Sequence, residues 1–287
     1  MLALDIQNLC KIFKGKKRQT VVALQDLSLQ IESGEVFGFL GPNGAGKSTT
    51  IKLVMGLLKP TSGTAQIMGM DSGLAASRLN IGFLPENPAF YEYLTAEEYL
   101  QFTGRMFQMP TTLLARRIEE SLKRLELWDA RKRQMRSYSK GMVQRVGLAQ
   151  TLIHDPAVYI LDEPMSGLDP IGRVLVKEII LGLKNRGKSV FFSTHITDDV
   201  EKICDRVGVI NKGQLKVVDS VDTILQQGTE GYLVRVITQD GIKQDSFIEK
   251  TNLQSFIEQT TLNKELIEKI EPRRKDMEAF FLEIVSQ

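Results

Sequence analysis

The stretch GPNGAGKST, Gly41 to Thr49, leaves this chain few folds to choose from. It satisfies G-x-x-x-x-G-K-[ST], it follows the apolar run EVFGFLG, and helical spacing begins at about Lys47. Across Gly41, Pro42, Asn43, Gly44, Ala45 and Gly46 it is the glycines that let backbone N–H groups close around a phosphate. Lys47 can neutralise the outer phosphates, Ser48 can offer a hydroxyl to magnesium, and Thr49 completes the motif at the helix start. A glycine turn beside a solvated lysine is the plainer alternative, but the strand before and the helix after argue against it.

A loop of this kind belongs at a strand-to-helix junction, and the rest of the chain supplies the matching order. AVYILDEP precedes GRVLVKEIILGLK, and KSVFFSTH precedes TDDVEKIC, which reads as an α/β fold around a parallel sheet. The opening runs LALDIQNLCKIF and VVALQDLSLQI have no crossover helix between them and read as an antiparallel β layer. Helical patterns rich in Leu, Arg and Glu replace strands over about 94–145, predicting an inserted helical subdomain. The expected organisation is an ATPase domain over 1–219 and a small α+β appendage over 220–287. The strand-like GYLVRVIT belongs to the appendage, as does a terminal helix with Met277, Phe280, Phe281, Ile284 and Val285 on one face.

VYILDEP complements the loop. Its apolar residues predict a buried strand whose end delivers Asp162 and Glu163 to the phosphate edge of the sheet. Two adjacent carboxylates there are costly unless cations or protons are near. Asp162 suits a magnesium ligand through water, and Glu163 suits a base that polarises attacking water. Together with the glycine loop they specify a P-loop nucleoside triphosphatase. His195 ends the apolar run FFSTH, where a core or capping histidine is usual, and only its place in the series of motifs favours a γ-phosphate contact; His154 in LIHDP reads as a turn residue.

A second anion-suited feature lies in YSKGMVQR, residues 138–145, where Ser139 can cap a helix and Gly141 leaves its backbone bare. With it, the ordered set of motifs resembles the nucleotide-binding subunit of ABC transporters over roughly residues 3–220. YSKGMVQR is similar to that family's L-S-G-G-Q signature, SGLD from Ser166 to Asp169 to its D-loop, His195 to its switch histidine, and LPE from Leu84 to Glu86 to its Q-loop. The resemblance implies ATP and Mg2+ as cofactors and Phe13 as the aromatic that stacks on adenine. It implies Glu86 beside the metal, and Ser139 and Gly141 on the γ-phosphate of a neighbouring subunit. It also implies a homodimer or pseudo-dimer paired head to tail and docked on an integral membrane permease. Lys140 and Met142 in the signature, and Glu86 for the usual glutamine, are similar to ATPases that serve ABC-2 type exporters. A nucleotide-dependent switch acting on ribosome or DNA is the rival within the same family.

Composition bears on that choice. Over 287 residues the net charge is only +2, so the electrostatic case for nucleic acid is missing, and none is expected as a partner. Cys10 and Cys204 lack metal-ligand spacing and read as separate buried thiols. No signal peptide and no run near the roughly 18 apolar residues of a membrane span is present, so the expected location is cytoplasmic, peripheral on the membrane face through the permease. RKRQMR, Arg131 to Arg136, reads as solvated or permease-facing surface. In NPAFYEYLT, Phe90, Tyr91 and Tyr93 either plug the core or offer a docking surface.

Overall fold

The computed structural model describes residues 1–15, 20–238, 241–274 and 276–286. They form two compact units, Met1–Val218 and Asp219–Gln287. In the first, β1 (Leu2–Lys14) and β2 (Thr20–Glu32) make a long antiparallel pair, followed by β3 (Val36–Leu40), α1 (Lys47–Val54), β4 (Ser62–Ile67), β5 (Met70–Asp71) and β6 (Ile81–Leu84). Helices α2 (Ala96–Met106), α3 (Thr111–Arg124) and α4 (Lys140–Leu152) come next, so helix continues past residue 145. Then β7 (Val158–Asp162), α5 (Pro170–Asn185), β8 (Ser189–Thr194), α6 (Thr197–Ile203), β9 (Arg206–Asn211) and β10 (Gln214–Ser220) complete the α/β order.

The six-stranded sheet runs β10-β9-β3-β8-β7-β6, and β9, β3, β8, β7 and β6 pair in parallel. The strand period of two splits its side chains between two cores. Phe37, Phe39, Val158, Ile160 and Phe191 join α1 and the four-stranded sheet β2-β1-β4-β5 in one core. Val36, Tyr159, Leu161, Val190 and Phe192 join α2 to α5 in the other. Each fully buried aromatic contributes about 1.5–3 kcal/mol. Because Asp162 and Ser193 share the parity of Ile160 and Phe191, the same alternation aims both toward α1 and the loop ahead of it.

The helical segment is built from local rules. Thr95 caps α2 in a reciprocal capping box with Glu98, and α3 buries Leu114, Ile118 and Leu122 at four-residue spacing. Arg131 stacks over Trp128 at 3.8 Å and Arg133 lies over Tyr138 at 5.6 Å, so part of the basic run packs on the subdomain's own aromatics. Phe90 packs edge-on to Tyr99 at the core, while Tyr91 and Tyr93 are 57% and 65% exposed. The NPAFYEYLT aromatics therefore divide between plug and open surface.

The second unit comprises α7 (Val221–Gln227), β11 (Thr229–Ile237), β12 (Lys243–Glu249), α8 (Leu253–Leu262), β13 (Leu266–Arg274) and α9 (Met277–Val285). Its antiparallel sheet has β11 at the centre, with Val234 and Val236 buried. On α9, Met277 is fully buried and the rest of the apolar stripe is half-buried.

His154, just beyond α4, does more than turn the chain. Its ring stacks on Phe107 at 3.7 Å and its Nε2 donates to the Ile81 carbonyl at 3.0 Å, leaving Nδ1 buried without a partner. Burial pushes its pKa below the usual histidine value, since a second ring proton would have no acceptor. The unfolded chain therefore binds more protons, and the stability that neutral His154 supplies is complete above about pH 6.5 and is lost as pH falls through the folded pKa. His154→Phe keeps the stack, so its melting temperature should fall less than that of the wild type between about pH 7.5 and about pH 5.5.

Candidate functional site

The phosphate loop joins β3 to α1. Gly46 caps the helix at φ 115°, a conformation that favours glycine, and an added Cβ would lie 2.9 Å from the Ala23 carbonyl oxygen. At Gly41 the backbone is ordinary, but a Cβ would meet the Ile210 carbonyl oxygen at 2.6 Å. Two different constraints thus impose glycine on one loop. With Val21, Val22, Ala23, Lys212 and Gly213, the loop lines a pocket of about 510 Å³ that also receives Ser48, Thr49, Glu86 and Glu163.

Lys47 is 6% exposed, and its Nζ donates to the Gly41 carbonyl at 2.6 Å and lies 3.3 Å from Glu163 Oε1. Glu163 is 8% exposed, and its carboxylate also meets His195 Nδ1 at 3.0 Å. One carboxylate therefore joins the lysine of the loop to the histidine beyond β8. Glu163 holds a left-handed backbone at φ 48°, uncommon outside glycine. Its N–H is shared between the Ser193 hydroxyl at 3.1 Å and the Ser193 carbonyl at 3.2 Å. Asp162, 4% exposed, accepts from Ser193 Oγ at 2.5 Å.

Other sequence candidates fall outside this cluster. Phe13 is 39% exposed on β1 with Lys11 over its ring, and it reaches the pocket only through its ladder partner Val21. Glu86 is exposed on the pocket wall. Ser139 caps α4 by accepting from Met142 N–H at 3.2 Å, and with Gly141 it lines a separate concavity shared with Gly167, Leu168 and Asp169. The Lys140 stem lies against Gly167, where an added Cβ would meet its Cε at 2.8 Å. Asp169 caps α5 by accepting from Gly172 N–H.

Sequence reasoning missed Ser193, Lys212 and the buried Gln144, whose Nε2 donates to the Pro164 carbonyl at 3.2 Å. It also missed Asp199, fully buried on α6 and paired with Arg173 and Lys177 of α5 at 2.9 and 2.8 Å. A hydroxyl directly after the apolar run of β8 was the available signal for Ser193; the others depend on tertiary contacts.

Among the described residues no three His, Cys, Asp or Glu side chains gather as a metal cage. The donors near the loop, Ser48, Asp162 and Glu86, are hard oxygens. Magnesium keeps several waters and takes ligands from substrate phosphates, so a hydroxyl and one carboxylate fit its demands.

A glycine loop between a parallel strand and a helix, facing paired carboxylates at the end of β7 two strands away in the same sheet, defines a P-loop nucleotide-binding α/β domain. A family model described as ABC transporter matches residues 24–166. An uncharacterized ABC transporter ATP-binding protein of Nostoc sp. is 49% identical over 209 residues, 72% of this chain and 62% of the relative, so the match spans about three-fifths of that protein. The linearmycin resistance ATP-binding protein of Bacillus subtilis is 35% identical over 239 residues, covering 79% of this chain and 75% of its own. A dimeric ATP-binding cassette solved in a post-hydrolysis state with ADP and Pi matches with a TM-score of 0.71 and 25% identity, over 76% of this chain and 98% of that one. The chain belongs to the ABC transporter ATP-binding proteins.

At Gly46 alanine meets both a positive φ and a blocking carbonyl, whereas at Gly44, φ 80°, nothing lies within 4 Å of the added carbon. Gly46→Ala should therefore destabilise the fold by more than the about 1–3 kcal/mol of backbone strain expected for Gly44→Ala, as read from denaturant midpoints of the two variants.

Proposed function

We propose that this protein is a Mg2+-dependent ATPase that pairs head to tail around two ATP molecules and powers a separate integral membrane permease. The observation that carries this reading is the Glu163 carboxylate held between Lys47 and His195 at the mouth of the phosphate loop. On binding, Lys47 exchanges its loop carbonyl and Glu163 for phosphate oxygens, which frees Glu163 to accept a proton from water. His195, half exposed, then steadies the γ-phosphate side. Ser48 and Asp162 hold magnesium, whose chemistry when bound is to neutralise charge on the phosphates, and Glu86 faces the same pocket. Phe13 takes the base.

The separation of Ser139 and Gly141 from their own chain's phosphate pocket supports a role across a dimer. The capped N-terminus of α4 would then meet the γ-phosphate on a second copy, an anion contact worth about 0.3–1 kcal/mol or more when shielded. Hydrolysis removes that contact, so ATP acts as separable glue and the closed-to-open difference can drive a partner. Among the described residues no helix is long and apolar enough to cross a membrane. The exposed Tyr91 and Tyr93, next to Glu86 in sequence, suit a permease helix docked on the cytoplasmic face. The YSKGM and LPE motifs, and a relative named for linearmycin resistance, favour an ABC-2 type exporter.

Glu163→Gln occupies the same volume without a basic oxygen. It should keep ATP binding, lose about 10²- to 10⁴-fold in turnover, and form an ATP-stabilised dimer on sizing chromatography. Wild-type turnover by this variant would remove Glu163 as the base.

The trans arrangement has its own test. Lys47→Ala disables the loop, and Gly141→Asp places a negative charge where a neighbour's γ-phosphate approaches, so each homodimer should be inactive. A mixed dimer regains one site that combines an intact loop with an intact signature. Phosphate release, followed against mixing ratio at concentrations that dimerise, should rise at intermediate ratios. A flat line would mean that the signature serves its own chain or that both sites must fire together.

A further inference from the structure

The mechanism above uses Asp162 and Glu163 but leaves open what holds two adjacent, buried carboxylates at different tasks. Ser193 lies opposite Asp162 in the parallel β7/β8 register and is fully buried. Phe191 and Phe192, before it on β8, point into the two cores, so its hydroxyl stands where the apolar part of the strand ends. Oγ is 2.5 Å from Asp162 Oδ1 and 3.1 Å from Glu163 N. A backbone N–H can only donate and an ionised carboxylate can only accept, so the direction of both bonds is forced. The hydroxyl proton goes to Asp162, and a hydroxyl lone pair takes the Glu163 N–H.

Each bond controls a different property of the site. Donation to Oδ1 selects one Asp162 rotamer and leaves Oδ2 as the oxygen without a hydrogen bond among the described residues. Acceptance from Glu163 N–H, reinforced by the Ser193 carbonyl at 3.2 Å, pins the left-handed turn at φ 48° that throws the Glu163 side chain toward Lys47 and His195. Two residues further along the same chain stands His195, so one strand end fixes all three groups.

We propose that Ser193 is a positioning residue for this reaction, using its hydroxyl to aim Asp162 at the metal and Glu163 at the water. The inference rests on the ATPase reading given above. Ser193 touches neither nucleotide nor metal and acts through the two carboxylates.

Threonine and valine have nearly the same shape and differ by the hydroxyl, so Ser193→Thr and Ser193→Val in the full chain separate the bond from the packing. With the Val variant, kcat should fall about tenfold or more, with little change in KM for ATP, and the Mg2+ concentration for half-maximal turnover should rise several-fold. The Thr variant should recover most of both. Independently of turnover, Mn2+ binding to the ATP-loaded protein carrying Glu163→Gln, read from the EPR signal of free Mn2+, should weaken several-fold with Val and not with Thr. Ser193→Ala, which adds no methyl group, should behave as Val does, and it answers the question if both larger side chains prove unstable. Equal Mn2+ affinity and equal kcat with and without the hydroxyl would overturn the proposal. So would a loss confined to KM or to the melting temperature. A wild-type chain with no Mg2+-dependent ATPase activity overturns the site reading itself and this inference with it, whereas an active wild type with indifferent Ser193 variants overturns only the inference.

Discussion

A buried ammonium group organises this structure. Lys47 is almost wholly enclosed, and an isolated charge there would cost several kcal/mol, so everything around it must supply oxygen. The loop does so with the Gly41 carbonyl at 2.6 Å. The end of β7, on the far side of β8, does so with Glu163, whose backbone adopts an uncommon conformation. The loop's glycines, the parallel register of β7 and β8, and the turn after Asp162 can be understood as answers to one charge.

The same arrangement prepares the site for a polyanion. A nucleotide phosphate offers Lys47 a stronger partner than a carbonyl or a shared carboxylate. Until that exchange, the Glu163 carboxylate is engaged by two nitrogens. Under the proposed function, binding and activation would be linked through the one Lys47–Glu163 contact.

Much of this was legible before any coordinates. The alternation of β-branched runs with helical spacing located β3, β7 and β8, because parallel strands buried on both faces read as continuous apolar segments. Lys47, Glu163 and His195 were assigned from order along the chain, and the fold brings them within a few ångströms of one another. Ser193 was not assigned, since a hydroxyl directly after an apolar run carries no charge pattern and its meaning comes from the residue opposite. Asp199 sat unremarked in TDDVEKIC because acidic residues commonly open helices. His154 looked like an ordinary turn residue; its stack on Phe107, nearly fifty positions away, leaves no local trace. Phe90, Tyr91 and Tyr93 form one sequence pattern but have two environments, which only packing could divide.

The Arg173–Lys177–Asp199 contact has a consequence for how this chain can change over time. Asp199 is fully buried, so removing both cations would leave its charge uncompensated, at a cost of about 3–5 kcal/mol when a buried pair is broken outright. That is comparable with the whole stability margin of a typical domain. Having two cations softens the penalty, because Arg173 can be lost while Lys177 still serves, or the reverse. Viable descendants should therefore drift at either cation while retaining the acid and the other cation. The direction of neutral change is set by which partner is shared.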